Sequence, residues 1–163
     1  MKKLLAVILA VLTVLSLGVP ALAADAAPAE SPAAYTVVVN GKTLDLSGLP
    51  VAPYEEDGVV MVPLRKVGEA LGYRVDWDAE TGAITIDDDY IQGATLFDGS
   101  AKAVFTGHLK VIDMSREIEN ALPTVVHTGG YTFVPAGFFS EFFNDVTVEN
   151  GVITIAPSMC ELD

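Results

Sequence analysis

"GVVMVPLRKVGEALGYRVDW" runs from Gly58 to Trp77, and "GGYTFVPAGFFSEFFNDVTV" runs from Gly129 to Val148. A shift of 72 positions lays Val134-Pro135 on Val62-Pro63, Gly130 on Gly58, Phe139 on Val67, Glu141 on Glu69 and Phe143 on Leu71. Each stretch opens with a glycine-led β-branched or aromatic run, meets a proline, and passes into a helix-like segment. Proline is tolerated in a helix's first turn, where the missing N–H has no intrahelical acceptor. Leu64, Val67 and Leu71 then fall at i, i+3 and i+7 on one helical face. Gly72 stands where a left-handed residue ends the helix, and Asn144 is placed for that role in the second copy. Arg65 and Lys66 sit at the positive end of the helix dipole, each at a cost of about 0.3 kcal/mol or more. The sequence offers no reason for them unless a carboxylate from a neighbouring strand answers.

Working outward, each helix is followed by two strand-like runs: Arg74–Trp77 with Ala83–Ile86, and Asp145–Val148 with Gly151–Ile155. Ala79-Glu80-Thr81-Gly82 and Glu149-Asn150-Gly151 supply the turns. Upstream, Tyr35–Val39 and Lys42–Leu46 flank Asn40-Gly41, the dipeptide that suits a two-residue hairpin turn with positive φ at both positions. A second hairpin is expected from Lys102–Phe105, turning at Thr106-Gly107-His108 and returning through Leu109–Ile112. The pattern predicts an α+β fold of duplicated hairpin-strand-helix-hairpin units, about 35–90 and 91–157, with mostly antiparallel sheet packed on two short helices.

The flanks read differently. Lys2 and Lys3, the apolar run Leu4 to Val19 and the small-x-small Ala21-Leu22-Ala23 predict a signal peptide over 1–23, and hence a secreted or cell-surface protein with no membrane insertion after cleavage. Residues 24–34, rich in Ala and Pro, read as a flexible linker, 35–157 as one folded domain, and 158–163 as a tail. Without Lys2 and Lys3 the basic residues fall from nine to seven against 22 acidic ones, a net charge of −15 that argues against nucleic acid as a partner. The one cysteine, Cys160, cannot form an internal disulfide, so packing alone holds the domain; the thiol is available to pair between chains.

Together, Asn40-Gly41-Lys42, Val62-Pro63-Leu64-Arg65, Glu69 to Asp78 ("EALGYRVDWD") and Ala83-Ile84-Thr85-Ile86 closely resemble the copper amine oxidase N-terminal-like domain, or stalk domain, of secreted and cell-surface bacterial proteins. The likeness spans about Tyr35 to Ile155; in the second copy Ala136-Gly137 stands where the family pattern has Leu-Arg. The resemblance implies an appended, non-catalytic module, since copper and the tyrosine-derived quinone of the oxidases belong to a separate, larger domain. The quinone precursor there follows an asparagine, whereas Tyr35, Tyr54, Tyr73, Tyr90 and Tyr131 follow Ala34, Pro53, Gly72, Asp89 and Gly130. Copper there takes three histidines, and this chain has two, His108 and His127.

Candidate chemistry is sparse. His108 and His127 would share a metal with a carboxylate only if their turns met, and exposed loop histidines are the commoner outcome. Asp87-Asp88-Asp89 lacks the alternating spacing and loop glycine of a calcium site, so a solvated acidic loop is the simpler reading beside a weak divalent-cation site. No G-x-S-x-G, H-E-x-x-H or glycine-rich phosphate loop occurs. Glu69 and Glu141 recur at equivalent helix positions, which suits solvent-facing or Arg-paired residues better than a catalytic pair. No catalytic residue, metal ligand or cofactor is assigned. Phe138 and Phe142 fall where the first copy has Lys66 and Ala70, giving the second helix a further apolar stripe. That stripe is either buried within the chain or forms a candidate patch for a partner or a second copy of the chain. The expected function is therefore a non-catalytic secreted or cell-envelope module that binds a protein or an envelope polymer, with homo-oligomerisation open. The alternative is a small hydrolytic or metal-dependent extracellular enzyme whose site the sequence does not display.

Overall fold

The computed structural model describes residues 35–108 and 114–158. The expected signal peptide, the linker, the hairpin return Leu109–Ile112 and Cys160 lie outside the described residues. Among the described residues no helix is long and apolar enough to cross a membrane.

Among the described residues thirteen strands form three sheets, mostly antiparallel, with two short helices. The chain opens with β1 (Thr36–Val39) and β2 (Lys42–Thr43), then β3 (Tyr54–Glu56) and β4 (Val59–Pro63). Helix α1 (Leu64–Leu71) leads to β5 (Arg74–Trp77) and β6 (Ile84–Asp87). Next come β7 (Gln92–Leu96), β8 (Lys102–Gly107), β9 (Ser115–Glu119), β10 (Val125–His127) and β11 (Tyr131–Pro135). A 3-10 helix (Ala136–Phe142), β12 (Asn144–Glu149) and β13 (Val152–Pro157) complete the order.

Sheet I runs β12-β13-β1-β2, sheet II runs β10-β11-β4-β3, and sheet III runs β5-β6-β7-β8-β9. Parallel pairing of β1 with β13, Val37 opposite Ile153, joins the first strand to the last. In sheet II the two glycine-led strands pair with each other: Val62 faces Val134, Pro63 faces Phe133, and Met61 faces Pro135. One apolar cluster takes Val37 and Ile153 from sheet I, Val62 and Val134 from sheet II, Ile86 and Phe105 from sheet III, and Leu64, Val67, Phe138 and Phe139 from the helices.

Local chemistry explains much of this. Asn40-Gly41, Asp57-Gly58 and Asn150-Gly151 all have positive φ at both positions, and each closes a two-residue hairpin. Gly72, at φ 89°, ends α1 and donates its N–H to the Glu69 carbonyl, while Tyr73 donates to Gly68. Pro63 and Pro135 close their strands and precede the helices, one position earlier than expected.

The second helix departs further from expectation. Ala136, Phe139 and Phe142 are all buried at a spacing of three, the ridge of a 3-10 helix with three residues per turn. Gly137 gives an α-helix little drive at this point. The left-handed terminator is Phe143, at φ 58°, not Asn144. Asn144 is instead buried and donates through Nδ2 to the carbonyls of Phe139 (3.0 Å) and Phe142 (3.2 Å), so its side chain caps the helix that its backbone was expected to end. The expected turn at Thr106-Gly107-His108 is mostly strand, since β8 extends to Gly107 and its antiparallel partner is β9.

Candidate functional site

Each residue singled out for its chemistry has a structural occupation. Asp87, Asp88 and His108 do meet, their ligand-type atoms within 4.8 Å of one another. The Asp88 Oδ1 accepts the backbone N–H groups of Tyr90 (2.9 Å), Ile91 (2.7 Å) and Gln92 (3.0 Å). The Asp87 Oδ1 accepts the Asp89 N–H at 2.6 Å and lies 2.9 Å from His108 Nε2. Arg74 brings a guanidinium to 2.6 Å from Asp89 and 3.7 Å from Asp87. The acidic run is thus a clasp that shapes the β6–β7 loop around a cation the chain itself supplies. His127 does not join it: its ring packs edge-on to Tyr54 and Phe133, with centroids 5.7 and 5.0 Å away.

The paired glutamates are likewise engaged. Glu69 lies 3.6 Å from Arg65 on its own helix, and Glu141 lies 2.6 Å from Arg116. Arg116 also rests over the Phe105 ring at 4.5 Å, a cation–π contact.

Phe138 and Phe142 are 2% and 3% exposed, which removes them as a partner-binding patch. Their rings stack with Phe105 at 5.8 and 5.1 Å and with each other at 5.6 Å, filling the space beneath sheet III. The extra stripe faces inward because the neighbouring strand β8 offers an aromatic, Phe105, for it to cover. Phe143, at the helix's C-cap, is the phenylalanine of this segment that faces solvent.

Titration follows the same contacts. The half-buried Tyr73 hydroxyl is pushed above its ordinary value by burial, partly offset by its hydrogen bond with Asn144. Burial, then the nearby Glu56 carboxylate, raises Tyr54. The Asp78 carboxyl is held below its ordinary value by the backbone N–H of Glu80 and the Thr81 contacts, as suits the carboxylate of a β5–β6 turn.

Concave surface occurs in two main places. One is a groove of about 660 Å³ beside Ile91, Met114, Arg116, Glu141 and Phe143. The other is a cleft of about 720 Å³ where the start of α1, the edge strand β5 and the β10–β11 turn converge. Pro63, Val75 and Ile84 contribute apolar surface to the cleft, Arg65 and Lys66 border it, and Trp77 and Tyr131 line it from sheets III and II. Arg65 donates through Nη1 to the Val75 carbonyl at 2.5 Å, which fixes the helix start against the edge of β5. This contact gives Arg65 a partner at the helix start, a strand carbonyl rather than a strand carboxylate; nothing in the structure explains Lys66. The basic pair tolerated at the wrong end of the dipole was the one visible signal of the cleft. Trp77 carried no such signal, since strand alternation places it on the face of buried Val75.

A sequence profile of the copper amine oxidase N-terminal domain matches residues 38–155. No curated protein and no solved structure matches the chain. The matched span begins in β1, takes in all three sheets and both helices, and ends in β13. The chain belongs to the copper amine oxidase N-terminal domain family.

Proposed function

We propose that the protein is a non-catalytic module that works outside the cytoplasm and binds a protein or a polymer of the cell envelope. The family is named for enzymes in which this domain is the non-catalytic part. The carboxylates and histidine that offered themselves for chemistry serve as loop clasps and ion pairs. The single observation that carries the binding reading is the cleft, where a tryptophan 63% exposed stands beside fixed polar groups. We also infer that the domain is built from two units. Support comes from sheet II, where Val62 faces Val134, its counterpart at the 72-residue shift, with the flanking pairs symmetric about them. The units have diverged, because β6 pairs antiparallel with β7 whereas β13 pairs parallel with β1.

The test is retention of the purified protein on washed envelope fractions. It is run beside a broad hydrolase panel and a peroxide assay with copper and a primary amine. Retention with both assays silent is expected; turnover in either assay, or no retention, contradicts the reading. Export is tested separately by intact mass of the native protein, expected to begin near Ala24 and contradicted by retention of Met1.

A further inference from the structure

Trp77 is the chain's only tryptophan. It ends β5, the edge strand of sheet III, and among the described residues its ring stacks on no other aromatic. Single exposed apolar side chains are ordinary on a folded domain; what sets this one apart is its place in the wall of a cleft. Tyr131 reaches the same cleft from sheet II. Its ring lies over Gly129, where an added Cβ would stand 3.1 and 3.3 Å from the ring carbons Cε2 and Cδ2. The glycine both makes room for the ring and adopts the left-handed φ of 90° that the turn requires. One wall of the cleft is therefore a tyrosine seated on bare backbone, and another is an exposed indole.

Between them the charges balance: Arg65 and Lys66 against Asp76 and Asp98. An anionic polymer gains little steering there, and neither does a cationic one. A protein partner would bring an apolar core to a contiguous apolar patch, as at Ile91, Met114 and Phe143 on the other groove. Single aromatic faces set among donors and acceptors match a pyranose ring instead. Its C–H face stacks on an aromatic, and its rim of hydroxyls needs both kinds of hydrogen-bonding partner.

We infer that this cleft is a carbohydrate subsite that holds a polysaccharide strand, pyranose faces stacked on Trp77 and Tyr131 and hydroxyls met by Arg65, Lys66 and Asp76. The inference rests on the binding-module reading and names its ligand class. Because Trp77 is the sole tryptophan, emission of the purified protein reports on this cleft alone. The probes are chitohexaose, cellohexaose and peptide-stripped glycan strands from bacterial sacculi. At least one is expected to give a saturable blue shift with protection from acrylamide quenching. Tyr131→Ala, which keeps the reporter, weakens that binding by about tenfold, a factor that corresponds to one modest contact. Trp77→Ala, followed by affinity electrophoresis, loses retardation while its melting temperature stays that of the parent. No shift with any of the three probes overturns the inference, as does unchanged binding in both variants. Retention on envelope fractions that persists in Trp77→Ala and is abolished by protease treatment of the envelope also overturns it, while leaving the module reading intact. Absence of all retention defeats both.

Discussion

Position 68 shows how tightly α1 is seated. A Cβ on Gly68 would stand 2.9 Å from Val75 Cγ2 and 3.1 Å from Ile86 Cδ1, so the glycine lets the helix approach sheet III. Alanine there would gain up to about 1 kcal/mol of helix propensity. It would lose about 1–3 kcal/mol to overpacking against a stiff β-branched neighbour. Gly68→Ala is therefore expected to lower stability by about 1 kcal/mol, and thermal melting checks it. Phe138 provides the converse case, a side chain whose place is already filled. Phe138→Lys copies Lys66, the residue 72 positions earlier, yet it removes a buried aromatic and strands a charge in the cluster with Phe105 and Phe142. A loss of about 4 kcal/mol or more is expected in denaturant unfolding. An unchanged midpoint would show the ring to be exposed in solution.

At the scale of elements, the two helices diverge through their terminators. Gly72 takes the left-handed conformation at no steric cost, whereas Phe143 takes it at φ 58° with a bulky side chain that is 59% exposed. Phe143→Gly sheds that strain and gives up little buried surface, so it is expected to stabilise the domain by about 1 kcal/mol, read by chemical denaturation. Turn chemistry made the hairpins at Asn40-Gly41 and Asn150-Gly151 legible, because positive φ at two successive positions selects few residue pairs. Helix α1 was legible because Leu64, Val67 and Leu71 keep one period. Four strands escaped notice for physical reasons. In β3, Tyr54-Glu55-Glu56 sets one aromatic beside two glutamates and is held by its pairing with β4. In β7 a buried Gln92, whose amide donates to the Glu141 carbonyl, hides the apolar alternation of Ala94 and Leu96. In β9, Ser115-Arg116-Glu117-Ile118-Glu119 holds one apolar residue and survives as an exposed edge through pairing with β8. The short β10 owes its place to β11 and to the Asp98 carboxylate that accepts the Val126 N–H at 2.9 Å. The 3-10 geometry was invisible for a similar reason, since spacing by three and by four both keep Phe139 and Phe142 on one side.

For the whole molecule, the core is shared. The parallel β1–β13 pair and the Val62–Val134 register tie both halves into one apolar cluster, so neither half encloses a core alone. This sharing also creates the cleft, which needs α1 and β5 from the first half and the β10–β11 turn from the second. Linear sequence could not display it, because Trp77 and Tyr131, 54 positions apart, come to line one cleft only in the folded chain. The central claim is that the molecule acts by binding at this junction. Hydrogen exchange of the purified protein, with and without envelope fraction, tests it most directly. Slowed exchange confined to Leu64–Lys66, Val75–Trp77 and Gly129–Thr132 is expected, and protection instead at Ile91, Met114 and Phe143, or nowhere, would contradict binding at the junction.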